Sequence, residues 1–155
     1  MNYKNARMHA LTDEFADKIS NWEYGVPYQR YNFKGRPNGY LMNKETWGTE
    51  QFCLLENNEI LGYVSCQFEN DKLWVGWSLC PDLCGKRTGH LFALKCIEEI
   101  RKQKRYNEEI YLRVAASNIR AIKAYQRAGF AFSEIIQDEV AYTNNIEDFW
   151  IMKIE

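Results

Sequence analysis

IYLRVAASNIRAIKAYQRAGFAF, residues 110–132, reads as a strand that runs straight into a capped helix. Ile110, Leu112 and Val114 alternate with Tyr111, Arg113 and Ala115, the two-residue period of a strand with one buried face. Ser117 or Asn118 is placed to cap the next helix, because either side chain accepts a hydrogen bond from an orphan N–H of the first helical turn. Ala121, Ile122, Tyr125 and Ala128 recur at spacings of three and four and give the helix an apolar stripe. Gly129 closes it, since glycine takes the left-handed terminal conformation without a Cβ penalty, and Phe130 lies just beyond.

Upstream, WVGWSLCPDLCGKRTGHLFALKCIEEI (residues 74–100) has the same order of strand, loop and helix, with a Pro-marked turn and a basic, glycine-containing loop. N–H groups at such a helix start point outward beside a strand end and favour an anion such as phosphate. Lys86 and Arg87 add positive charge to the loop, whereas Glu98 and Glu99 come well inside the helix. A tight turn at Gly85, a close helix start at Gly89 and ordinary solvated cations explain the same residues equally well. Two common nucleotide loops are excluded by spacing. No Ser or Thr follows Gly85 and Lys86, and Gly85 and Gly89 are not spaced as G-x-G-x-x-G.

Taken together, the two stretches resemble the GNAT (N-acetyltransferase) superfamily, and most closely a small bacterial member. The family signature N-x-x-A-x-x-x-Y-x-x-x-G-F matches in full as Asn118, Ala121, Tyr125, Gly129 and Phe130. Its cofactor motif Q/R-x-x-G-x-G/A matches in part: Cys84 stands at the Gln/Arg position, Arg87 at the first Gly and Gly89 at the last. The resemblance implies a single N-acetyltransferase-like domain over residues 1–155 and acetyl-CoA as acyl donor. It implies transfer of the acetyl group to a primary amine of a small molecule or peptide. A non-catalytic acyl-CoA-binding module is the alternative, because Cys84 and Arg87 depart from the motif.

The resemblance also carries residue roles. Leu79, Lys86, Arg87, Thr88, Gly89, His90 and Asn118 are the expected cofactor-binding residues, with backbone N–H groups of 87–90 toward the pyrophosphate. Tyr125 is the expected general acid to the leaving thiolate. Tyr28 and Tyr31 are candidates for the acceptor side, within an aromatic stretch, residues 22–47, that also holds Trp22, Tyr24, Phe33, Tyr40 and Trp47. That stretch reads either as an aromatic wall with cation–π contact to an ammonium group or as ordinary packing. The general base is not readable: Trp74 to Leu79 carry no carboxylate, so Glu56, Glu69 and Asp71 serve only if folding brings them to the cleft.

Composition narrows the class further. A chain of 155 residues with 46% hydrophobic content supports a sizeable core. A net charge of −1 writes no bulk attraction to nucleic acid or an anionic membrane. The basic run at residues 101–105 suits a helix C-terminus and a solvated face. No stretch is apolar enough for a leader or a membrane span, and five cysteines without a C-x-x-C pair suggest reduced thiols in the cytoplasm. His9 and His90 lie far apart and no cysteine joins them at ligand spacing, so no metal site is expected.

Periodicity and breakers predict the order β-α-β-β-β-α-β-α-β-β: strands near 4–10, 51–56, 60–68, 72–79, 110–115, 130–137 and 146–154, with helices near 13–22, 87–105 and 119–128. Thr12 is the expected cap of the first helix, and Asn57 and Asn58 are an expected hairpin turn. Gly25, Pro27, Gly35, Pro37, Gly39 and Gly48 break the segment from 23 to 50 into irregular structure. This order predicts an α/β (α+β) fold, a mixed and mostly antiparallel sheet with helices on both faces. In the family it resembles, the strands corresponding to 72–79 and 110–115 run parallel and splay apart around the cofactor arm. Gly76 is a candidate bulge or close approach in the first of them. Exposed strand edges leave a homodimer open.

Overall fold

The computed structural model describes residues 2–34, 39–140 and 145–155, so the breakers Gly35 and Pro37 lie outside the described residues. Asn57 and Asn58 both take left-handed φ values, +52° and +65°, and join β2 (Gln51–Glu56) to β3 (Glu59–Glu69) as the expected hairpin. Asn70 and Asp71, at +52° and +64°, repeat the device between β3 and β4 (Lys72–Leu79). Two left-handed residues give a turn whose twist matches that of the strands it joins.

The remaining strands are β1 (Arg7–Ala10), β5 (Ile110–Ala115), β6 (Ala131–Glu139) and β7 (Ile146–Ile154). They complete a seven-stranded sheet in the order β1-β2-β3-β4-β5-β7-β6. Every neighbouring pair is antiparallel except β4 and β5, which run parallel. The helices are α1 (Asp13–Ser20), α2 (Gly89–Lys104) and α3 (Ile119–Ala128), which gives the predicted element order.

Three boundaries differ from expectation for local reasons. The first strand begins at Arg7 because a turn at Lys4 and Asn5 is closed by the Ala6 N–H on the Tyr3 carbonyl. The first helix, capped as expected by the Thr12 side chain, ends at Ser20 because Asn21 terminates it. The long helix begins at Gly89, not 87, because Arg87 has a φ of +59°, incompatible with a right-handed turn. Its other end matches the reading of the basic run. Arg105 turns left-handed, and the Arg101 guanidinium donates to the carbonyls of Tyr106 and Glu108 at 3.2 and 2.8 Å.

Alternation on β2 divides the interior. Phe52 and Leu54 face α2, with Phe92, Ile100 and Met152 in the larger core, while Cys53 faces a second core with Leu11, Ile19 and Tyr63. Phe92 lies directly on β3: a Cβ at Gly62 would come within 2.3 Å of its ring, so only glycine allows this approach. The aromatic stretch splits between both readings. Trp22, Phe33 and Trp47 pack into the second core, and the Tyr40 hydroxyl bonds Glu50 and Gln67, whereas other members of the stretch go elsewhere.

The feature that positions a site is the parallel pair. Pairing of β4 with β5 covers Leu73 with Ile110, Trp74 with Tyr111 and Val75 with Leu112, and then stops. Beyond that point Gly76–Leu79 pair only with β3, and Arg113–Ala115 only with β7. Gly76 forms no bulge, since its register with β3 is continuous. It is a close approach instead, with a Cβ there falling 3.1 Å from the Ser65 hydroxyl oxygen.

Candidate functional site

The opening between β4 and β5 widens into a cleft of about 720 Å³, bounded by the loop after β4, the start of α2, α3, and residues of the segment 24–31. At one end the loop leaves backbone donors free. Among the described residues, the N–H groups of 85–90 have no acceptor. The Thr88 hydroxyl, which would ordinarily cap α2, is bonded to Tyr3 at 2.9 Å, and the Leu91 and Phe92 N–H groups both go to the Thr88 carbonyl. Gly85 and Arg87 are left-handed, at +76° and +59°. Arg87 thus adopts the conformation that glycine gives most readily at its motif position, at a cost of about 1–2 kcal/mol.

Charge agrees with the free donors. Arg87, Lys123 and Arg127 line the cleft on this side, Arg120 lies between Cys84 and Tyr28, and none of the four has a carboxylate within ion-pair distance among the described residues. No described Asp or Glu lines the cleft at all. A pyrophosphate fits such donors: free N–H groups at a helix start, with uncompensated cations around them. Of the expected cofactor residues, Leu79, Arg87, Gly89, His90 and Asn118 line the cleft. Lys86 and Thr88 do not, and the Thr88 hydroxyl is taken up by Tyr3. Leu79 presents a carbonyl already engaged by the Tyr24 hydroxyl at 2.7 Å. Gly89 has little steric urgency, because a Cβ there would make ordinary contact, 3.4 Å, with the Cβ of Ala124 on α3.

Cys84 is half-buried, with its thiol directed to the carbonyls of Leu79 and Cys80 at 3.7 and 3.6 Å. It braces the turn rather than supplying the donors of a Gln or Arg. Burial raises its pKa, and the Arg120 charge pulls in the opposite direction.

Tyr125 lies at the middle of the cleft, half-buried, its ring edge-on to Trp77 at 5.8 Å and tilted on Phe130 at 6.0 Å. Burial pushes its hydroxyl up to about 12, against the opposing effect of a hydrogen bond from the Trp77 side chain. The group is therefore a neutral, protonated phenol at ordinary pH. Asn118 does two things at once. Its Oδ1 accepts from the Ala121 N–H at 3.3 Å and caps α3, and its Nδ2 donates to the Tyr31 hydroxyl at 3.2 Å. At the other end of α3, Gly129 at +108° and the Phe130 N–H on the Tyr125 carbonyl complete the expected terminus.

The opposite end of the cleft is aromatic. Tyr28 and Tyr31 stack at 6.5 Å, and Tyr24 and Phe149 complete the wall. The protein itself uses their faces: the Arg120 guanidinium sits 3.8 Å from the Tyr28 centroid and that of Arg30 5.5 Å from Tyr31. Each ring thus already has a guanidinium of the chain itself near it. The arginines here are paired, Arg30 with Glu147 at 3.1 Å and Arg113 with Asp138 at 2.5 Å. Glu56, Glu69 and Asp71 do not line the cleft, and Glu69 and Asp71 flank the hairpin at the far end of β4.

Sequence reasoning missed Trp77, Arg30, Arg113, Phe149 and the cations of α3. A signal for the last existed: Arg120, Lys123 and Arg127 recur at spacings of three and four just after Asn118, one continuous stripe of a helix.

The acetyltransferase (GNAT) family model matches residues 10–130. No curated protein sequence matches the chain. Among solved structures, the spermidine N-acetyltransferase of Vibrio cholerae in complex with CoA and spermine is 18% identical, with a TM-score of 0.74 over 97% of this chain and 95% of that one. The yncA protein of Salmonella typhimurium with its cofactor acetyl-CoA gives 14% and 0.65 over 98% and 94%. A ribosomal-protein alanine N-acetyltransferase from Escherichia coli gives 21% and 0.62 over 96% and 92%. These likenesses are of fold.

Proposed function

The chain belongs to the GNAT acetyltransferase family, and on that premise we propose that it transfers an acetyl group from acetyl-CoA to a primary amine of a small molecule or peptide. The observation that carries this reading is the meeting, in one cleft, of Gly85, Arg87, Gly89 and His90, whose N–H groups are free, with the protonated hydroxyl of Tyr125. When bound, acetyl-CoA supplies a thioester whose carbonyl carbon an amine attacks and whose sulfur leaves.

The chain's own residues do the rest. N–H groups of 87–90, with the Arg87 guanidinium, hold the pyrophosphate, while Asn118 fixes the start of α3 and Tyr31 against it. Tyr125 donates a hydrogen bond to the sulfur as charge builds there. Its raised pKa keeps the Tyr125 hydroxyl protonated and able to donate as the thiolate leaves. Tyr125 gives the sulfur its proton as general acid and is restored by the proton that the amine releases on forming the amide. Because no described carboxylate lines the cleft, the acceptor enters as its neutral free base. Tyr28 and Tyr31 form its wall, and the five free thiols support a cytoplasmic setting.

Calorimetric titration with acetyl-CoA, followed by thiol release across a panel of amines, tests this reading. Binding with release for at least one amine is expected. Tight binding with no release from any acceptor favours the non-catalytic module, for which the missing carboxylate is the supporting observation, and no binding contradicts both.

A further inference from the structure

α3 is unusual in its charge. Its charged residues are Arg120, Lys123 and Arg127, with no acid anywhere along it and none in its first turn. Helix N-termini favour anions, and exposed helical cations ordinarily gain from carboxylates one turn away. α2 follows that rule, with Lys102 set against Glu98 and Glu99. Positive charge in the first half of α3 thus opposes the helix dipole, and nothing among the described residues offsets it.

Packing locates the charge. The start of α2 leans on the middle of α3, where a Cβ on Gly89 would meet Ala124. Lys123 precedes that contact and Arg127 lies one turn beyond it, and both line the cleft beside the free N–H groups. Arg120 is held over Tyr28. The loop donors and Arg87 already match a pyrophosphate, which leaves Lys123 and Arg127 without a counterpart. A phosphomonoester, carrying about −1.5 to −2 charges at neutral pH, matches the two remaining cations.

We propose that Lys123 and Arg127 form a second phosphate subsite, which reads the ribose 3′-phosphate of CoA and so makes the protein select CoA over 3′-dephospho-CoA. The inference rests on the acetyl-CoA reading above and assigns these two residues a specificity role within it. Both side chains are exposed and leave the core untouched, so their replacement is compatible with folding.

The test is calorimetric titration of the full chain at low salt with CoA and with 3′-dephospho-CoA, on the wild type and a K123Q/R127Q variant whose melting curve is checked. The wild type is expected to bind CoA about tenfold more tightly. The double variant should bind both ligands alike, at the wild-type affinity for 3′-dephospho-CoA. Equal wild-type affinities overturn the subsite alone, without need of the variant. An equal loss for both ligands in the variant also overturns it, since the cations would then act as general attraction. Binding of neither ligand overturns the cofactor reading as well.

Discussion

The two ends of the cleft differ in how far the protein has satisfied its own polar groups. At the loop end, N–H groups of 85–90 and the cations Arg87, Lys123 and Arg127 have no counterpart among the described residues. At the aromatic end, Arg30 and Arg113 are paired with Glu147 and Asp138, and the Tyr28 and Tyr31 rings already carry guanidinium groups. Accessible donors and cations with no partner in the protein are available to a ligand of opposite charge, so the first end is built around charge. The second is complete in itself and selects by shape and by what a ligand displaces.

The largest effect is expected between the two ends. Tyr125→Phe should lower kcat about a hundredfold while leaving the CoA dissociation constant within about twofold, because in the proposed reaction the hydroxyl acts on the reacting sulfur and not on the phosphates. Stopped-flow thiol release and calorimetry read the two quantities separately, and unchanged turnover would remove Tyr125 from the chemistry. Burial that pushes the phenol up to about 12 also means that the wild-type rate shows no descending limb from this group below about pH 11.

Arg87→Gly probes the charged end with opposite consequences for binding and folding. Loss of the guanidinium should weaken CoA binding about fivefold and flatten its dependence on salt. Relief of the left-handed φ, worth about 1–2 kcal/mol and partly offset by the freer unfolded chain, should nevertheless raise stability by up to about 1 kcal/mol in urea unfolding. A variant that loses both affinity and stability would show that Arg87 is a structural part of the loop.

The smallest effect belongs to the self-satisfied end. Arg30→Ala removes the guanidinium that pairs with Glu147 and sits over Tyr31, which should raise KM for the acceptor amine by about threefold and leave CoA affinity unchanged. Equal changes in both constants would mean that the two ends are not separable.

Much of the fold was legible because local rules decided it. Asn57 and Asn58 can hardly be read other than as a turn, Asn118 caps as its position suggested, and Gly129 takes the left-handed conformation its place demanded. The start of α2 was misplaced because an arginine at positive φ is contrary to propensity and is imposed by the loop around it. Aromatics in the 22–47 stretch were indistinguishable for a different reason: whether Trp22 fills a core or Tyr28 lines a cleft depends on packing against distant strands, which a local pattern does not encode. The ion pairs Arg30–Glu147 and Arg113–Asp138 join residues far apart in the chain, so no spacing announced that these cations are paired while those of α3 are not.

A crystal structure of the full chain with CoA tests the central claim most directly. The account predicts pyrophosphate oxygens within hydrogen-bond distance of N–H groups of 87–90, with the sulfur between β4 and β5 facing the Tyr125 hydroxyl. Phosphates bound elsewhere on the molecule, with those N–H groups still free, would contradict it.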